Sequence, residues 1–283
     1  MLAVGTYEGF IKLWDRASGV EVRTLRGHKG RIYAVVFSPD GQRLLSVGVD
    51  APRLWNVGTG KELHVLRHGR SLVHAGLFAP DGRSVLTGGW DGTVRLWDAE
   101  TGKPGWRLES RGGVNAMVYS PSRDMLAIGG SGRRIALVSP VFRECDEDQR
   151  RRLEILLAQL DDDSYAVRET ASGEILRMGL MVEPTLRRLM TEANSAEVRL
   201  RCRHLRQQLL TTPQVELSGH RDEVESVALS LDGTLLASID RGGVIWIWEV
   251  VKRRERGHLV PSETAGHFTD DSSRGAGEGQ PGR

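Results

Sequence analysis

Short apolar runs separated by polar, glycine-rich turns fill residues 1–140 and return over 214–250. Runs of that length, bounded by turn residues, predict β-strands. LAVGTYEG (2–9), LLSVGVDA (44–51) and VLTGGWDG (85–92) each read as a strand entering a polar turn. IYAVVFSPDG (32–41) and VHAGLFAPDG (73–82) read as the strand before it. Pro-Asp-Gly between two apolar runs is a hairpin turn, because proline presets φ, aspartate caps the turn and glycine accepts positive φ. Across 145–211 the alternation stops and a 3.6-residue period takes over. Leu153, Leu156, Leu157 and Leu160 mark one helical face, and Val167, Ala171 and Ile175 a second. Leu186, Leu189 and Met190 follow Pro184, which suits a first helical turn, and Val198, Cys202, Leu205 and Leu209 mark a fourth face. Asp161 to Ser164 is a cap-rich break, and Asn194 with Glu197 reads as the capping pair of the fourth helix. The pattern predicts two antiparallel helical hairpins. Residues 251–283 are Gly/Ser-rich and charged with few apolar positions, and read as a disordered tail.

Tryptophan adds a longer period. Trp14, Trp55 and Trp97 close the phrases GFIKLWD, APRLWN and GTVRLWD at nearly equal intervals. A fixed interval of about 40 residues marks a repeat architecture, here with four short strands per unit. One further period from Trp97 reaches Val138-Ser139 in place of Trp-Asp, yet VNAMVYSPSRD (114–124) and MLAIGGSG (125–132) supply the rest of a degenerate fourth unit. A fifth unit runs through Gly219-His220, VESVALSLDG (224–233) and LLASIDRGG (235–243) to Trp248-Glu249. The step from Val138 to Trp248 is well over twice the period, so a segment longer than one whole unit is inserted, between the third and fourth strands of the fourth unit.

These elements, recurring in order, resemble the WD-repeat family of β-propellers over about 1–140 and 214–250. The resemblance implies a mainly β fold: a partial propeller of about four to five blades (1–140 and 214–250), an inserted α-helical segment (145–211) and the disordered C-terminal tail (251–283). It also implies, in each complete blade, a hydrogen-bonded set of histidine, Ser/Thr, aspartate and tryptophan. By position the second unit offers His28, Ser46, Asp50 and Trp55, the third His68, Thr87, Asp91 and Trp97, and the fifth His220, Ser238, Asp240 and Trp248. A structural role suits this chemistry, since a buried indole N–H and imidazole each need a partner and an aspartate orients the histidine tautomer. The first unit has Glu8 in the aspartate slot and no histidine. The fourth has Ser131 near that slot and neither histidine nor tryptophan, so these two blades are expected to be the looser ones. The helical stretch, about 153–210, resembles the HEAT-like segment that accompanies WD repeats in large planctomycete bacterial proteins. Met1 falls inside what should be a second strand, and IWIWEV (245–250) has no visible partner strand. The ring therefore reads as incomplete, either a fragment of a longer protein or a ring finished by another chain.

Composition adds mostly exclusions. Charged residues are 27% of the chain but the net charge is +2, which gives no prior for nucleic acid or a membrane surface. No apolar run approaches the roughly 20 residues of a membrane span. Cys145 and Cys202 read as reduced thiols of a cytoplasmic protein. There is no G-x-S-x-G elbow and no Walker loop. His64 and His68 lie at a strand end and loop without the glutamate of a helical zinc site, and Asp161, Asp162 and Asp163 read as caps. Arg199, Arg201, Arg203 and Arg206 read as a solvated helix face, and Lys252, Arg253, Arg254 and Arg256 as part of a solvated tail. No catalytic residue, cofactor or metal is expected.

What the resemblance implies instead is a protein–protein interaction scaffold. Its partner contacts fall on the narrower face, near the residue before each blade aspartate. Here that means Trp90 and, beside Glu8, Tyr7, with the neighbouring bases Lys29, Arg31 and Arg70 favouring an acidic partner segment. Self-association through open propeller edges is a further expectation. The alternative reading is the sensor or regulatory propeller of a larger enzyme, such as a bacterial protein kinase, with its catalytic residues upstream.

Overall fold

Five antiparallel sheets follow one another along the chain in a computed structural model that describes residues 1–69, 71–138, 142, 145–211, 215–252, 254–260 and 267–270. Sheet 1 holds β1 (Leu2–Gly5), β2 (Phe10–Trp14) and β3 (Glu21–Arg26). Sheet 2 holds β4 (Ile32–Phe37), β5 (Arg43–Gly48), β6 (Arg53–Asn56) and β7 (Glu62–Val65). Sheet 3 holds β8 (Val73–Phe78), β9 (Ser84–Gly89), β10 (Thr93–Asp98) and β11 (Pro104–Glu109). In sheet 4, β12 (Val114–Ser120), β13 (Met125–Gly130) and β14 (Arg134–Val138) are followed by the helices α1 (Glu147–Gln159), α2 (Tyr165–Arg177), α3 (Glu183–Glu192) and α4 (Ala196–Thr211) before β15 (Val215–Ser218) returns to pair with β14. Sheet 5 holds β16 (Val224–Leu229), β17 (Leu235–Asp240), β18 (Ile245–Glu249), β19 (Arg254–Val260) and β20 (His267–Asp270).

Local chemistry closes the hairpins as the sequence predicts. In the turn after β4, Gly41 takes a φ of 69° and donates to Ser38, while Asp40 accepts from the Gln42 amide at 3.0 Å. Gly82 and Gly233 repeat the positive φ, and in sheet 4 Asp124 takes that role at a φ of 43°. Elsewhere glycine permits close approach: a Cβ on Gly130 would stand 1.8 Å from the Gly113 carbonyl oxygen.

The first strands β4, β8, β12 and β16 lie side by side, and β1 lies beside β4 as β5 lies beside β8. Strand β1 thus occupies a second-strand place. Separate apolar clusters fill the spaces between sheets. Ile11, Leu13 and Trp55 lie between sheets 1 and 2, Leu45, Leu66 and Val85 between 2 and 3, and Ile135, Leu236 and Trp248 between 4 and 5. This is the stacking of propeller blades, mainly β and interrupted once by helices. Strand β1 turns Leu2 (56% exposed) and Val4 (44%) away from sheet 2.

The reading of the tail changes here. The last unit does have a partner strand: β19, over residues read as tail, pairs with β18 from Ile245↔Leu259 to Glu249↔Arg254. Its apolar positions are too sparse for a strand signal, and pairing with β18 supplies the order that composition does not. Most of the remaining tail lies outside the described residues. Sheet 4 lacks the histidine and tryptophan of a complete blade, and every residue of its inner strand β13 is buried. The helices provide that cover. Leu153, Ile175, Leu186 and Leu205 join Leu126, Ile128 and Val138 in one cluster, which also takes in Trp106 of β11. Helix α4 packs against β11, so the insertion braces sheets 3 and 4 together. Within the bundle α1 packs on α2 and α3 on α4. Pro184 stands in the first turn of α3, and Ser195 rather than Asn194 caps α4, accepting from the Val198 amide at 3.4 Å. No helix among the described residues is long and apolar enough to cross a membrane.

Candidate functional site

Three sheets are tied internally by the same kind of polar knot. In sheet 2, the Trp55 Nε1–H donates to Ser46 Oγ at 2.8 Å, and that hydroxyl meets His28 Nε2 at 2.6 Å. His28 Nδ1 contacts the Asp50 carboxylate. Because the carboxylate only accepts, the imidazole carries its proton on Nδ1, and its bare Nε2 accepts a hydrogen bond from the serine hydroxyl. Sheet 5 repeats the knot: Trp248 donates to Ser238 at 2.8 Å, Ser238 meets His220 Nε2 at 2.6 Å, and His220 Nδ1 meets Asp240 at 2.9 Å.

Sheet 3 is wired differently. Trp97 donates to Thr87 Oγ1 at 2.8 Å, but it is His68 Nδ1 that meets this hydroxyl, also at 2.8 Å. His68 Nε2 lies 3.1 Å from Thr93 Oγ1, and Thr93 donates onward to Asp91 at 2.7 Å. A threonine hydroxyl therefore relays between histidine and aspartate, and the imidazole carries its proton on Nε2. The sequence alignment overlooked Thr93. The available signal was a hydroxyl two residues beyond Asp91, where the second unit has Pro52.

Electrostatics follow from burial. Burial lowers the pKa of His28 and His220, partly offset by their aspartates, and pushes His68 down to about 4, helped by the Arg95 charge. All three are neutral near pH 7. For Asp50 and Asp91 burial acts upward, but hydrogen bonds, from His28 and Arg53 to the first and from Thr93 to the second, bring the net pKa below the ordinary value. Arg53 pairs with Asp50 at 3.0 Å and Arg95 with Asp91 at 3.2 Å. The knots hold the loops that precede the first strands and those that join the second and third strands.

Those loops carry the residues expected to meet a partner. Tyr7 is 73% exposed and Trp90 is 52% exposed. Trp90 is nonetheless fixed: its Nε1–H donates to Asn115 Oδ1 at 3.1 Å, its amide donates to the Leu72 carbonyl at 2.9 Å, and its ring lies 5.9 Å from His74. Arg31 sits over the rings of Tyr7, at 5.8 Å, and Tyr33, at 5.2 Å. Lys29 is exposed, with its amide held by Asp50 at 3.3 Å. Arg70 lies outside the described residues.

Reading the sequence missed Tyr33, His74 and Asn115. Tyr33 meets His74 edge-on at 4.2 Å, and Asn115 Nδ2 donates to the Val224 carbonyl at 3.3 Å. Burial lowers the His74 pKa, Asn115 opposes that shift, and the Arg31 charge adds to it. A continuous path of side-chain contacts thus runs from sheet 1 to sheet 5. Each of the three occupies the second place of a first strand, where a register shift (Ile32/Ala34, Val73/Ala75, Val114/Ala116) lifts one residue out of the ladder.

Comparison with known proteins agrees with this architecture. The family model described as WD domain, G-beta repeat, matches residues 19–51, 60–98 and 211–249. Each matched segment takes the outer strand of one sheet and the strands that open the next, and residues 99–210, which contain almost the whole helical insertion, are unmatched. Cilia- and flagella-associated protein 52 of Mus musculus is 30% identical over 188 residues, which is 61% of this chain and 24% of that protein. Coronin-7 of Pongo abelii is 38% identical over 50 residues, 18% of this chain and 5% of that protein. Dynein assembly factor with WD repeat domains 1 of Mus musculus is 46% identical over 41 residues, 14% of this chain and 10% of that protein. The chain spans about a quarter or less of the length of these relatives.

Proposed function

Since this chain carries WD repeats built into stacked antiparallel sheets, we propose that it is a protein–protein interaction scaffold with no catalytic step of its own, working in the cytoplasm. The observation that carries the reading is Trp90. Half of a large aromatic side chain faces solvent, yet its ring N–H and its backbone amide are both fixed. A pre-ordered aromatic surface loses little entropy on binding and makes a good interface anchor. Lys29 and Arg31 add positive charge on the Tyr7 side, which favours an acidic stretch in the partner.

Capture of interacting proteins by wild type and Trp90→Ala, compared by quantitative mass spectrometry, tests the proposal. The variant should lose specific partners while its stability changes by no more than about 1 kcal/mol. Unchanged capture would count against Trp90 as an anchor. Self-association belongs to the same reading. Among the described residues strand β1 pairs with β2, and its Leu2 and Val4 are exposed, apolar positions that a further strand or a second copy could cover. Mass that rises with concentration in light scattering supports it, and a constant monomer mass removes it.

A further inference from the structure

The lifted residues of the first strands form a series with a direction. Tyr33, His74 and Asn115 are its first three members, and the fourth is Glu225, set out of the ladder by the shift between Val224 and Ser226. The members are linked across the sheets. Arg31 rests over Tyr33, Tyr33 meets His74, Trp90 lies against His74 and bonds Asn115, and Asn115 bonds the carbonyl immediately before Glu225. The two ends carry opposite charge. Arg31 is exposed, with its guanidinium resting on tyrosine rings and, among the described residues, on no carboxylate. Glu225 is exposed and, among the described residues, pairs with no base. Between them, among the described residues of the series, lie the half-buried Tyr33, His74 and Asn115 and the exposed Trp90, and burial lowers the pKa of His74.

From this geometry we infer that the partner segment is extended and polar in sequence: an Asp or Glu over Arg31, an apolar side chain against Trp90 and His74, and a Lys or Arg over Glu225. The inference rests on the interaction-face reading above and gives that face a ligand chemistry. Length follows from spacing. Packed sheets stand about 10 Å apart, so three sheet-to-sheet steps along an arc cover on the order of 20–30 Å, which an extended chain spans in about six to nine residues. Charge reads orientation here. A segment laid the wrong way round puts like charges together at both ends, which disfavours that register without any steric clash.

A random dodecapeptide library displayed on phage, panned on the full chain, tests this. Wild type should enrich sequences with an acidic residue about six to nine positions from a basic one. Arg31→Glu should lose the acidic enrichment and keep the basic one, and Glu225→Lys should do the reverse. In synthetic copies of the enriched peptides, Arg31→Gln should weaken binding about two- to fivefold, the range of an exposed ion pair. Enrichment without the paired charges, enrichment unchanged in both variants, or no enrichment by wild type overturns the inference. The two readings fail differently. If charge-free apolar peptides are enriched and Trp90→Ala abolishes their recovery, the face stands and its polarity falls. If peptides bind Trp90→Ala as well as wild type, the face itself falls. Both charged positions are exposed, and matching melting curves for the variants confirm that the fold is retained.

Discussion

Replacing Thr87 by valine separates hydrogen bonding from packing as the force that holds sheet 3. Thr87 is completely buried, and its hydroxyl serves both Trp97 Nε1 and His68 Nδ1 at 2.8 Å. Valine keeps the branched shape and removes the oxygen. The indole N–H and one imidazole nitrogen are then buried without partners, at about 1–3 kcal/mol each, so Thr87→Val should cost about 2–6 kcal/mol. Serine makes the opposite change. It keeps the hydroxyl and deletes one methyl, which costs about 1 kcal/mol. The polar account therefore ranks Thr87→Ser well above Thr87→Val, whereas an account based on volume ranks them the other way. Urea unfolding at pH 7.5, followed by tryptophan fluorescence and far-UV circular dichroism, measures both. If the valine variant unfolds at or above the midpoint of the serine variant, the knot is incidental and close packing alone holds the sheet.

Acid should act through the same knots. His68 titrates at about 4 in the fold against an ordinary 6.5, so the unfolded chain binds the extra proton between those values. The stability contributed by keeping His68 neutral is fully present above about pH 6.5 and is lost as pH falls toward 4; it amounts to on the order of 3 kcal/mol, and His28 and His220 act in the same direction. A urea midpoint that stays flat from pH 7 to pH 4 contradicts this. The brace between the helices and sheet 3 depends on Trp106, which is buried in one cluster with Leu209 and Leu210 of α4. Trp106→Ala should cost about 3–5 kcal/mol and speed amide hydrogen exchange in α4 and β11 while leaving sheet 1 unchanged. Equal exchange in α4 before and after the change would show that the helices stand independently of sheet 3.

Much of the architecture was legible because it rests on short-range physics. Turn residues, strand alternation and the 3.6-residue period act within a few positions, so the first three strands of each unit and the four helices could be read directly, whereas the outer strands β3, β7, β11 and β15 were expected only as the fourth member of a unit. The members of the His28, His68 and His220 knots were also legible, because a repeat of fixed period carries each chemical role to a predictable position. Other features depend on groups that are distant in sequence or unmarked by type. Thr93 enters its knot only because a particular loop path places a hydroxyl between His68 and Asp91. Strand β19 exists through pairing with β18, since its own composition argues against order. The docking of α4 on β11 and the row of Tyr33, His74 and Asn115 bring together residues from different sheets. The sequence by itself determined the repeat, the turns and the members of the knots, because bonding within a unit is local and recurs. Only the tertiary structure decided which side chains meet between units, because those contacts depend on how neighbouring sheets stack and on where each strand bulges.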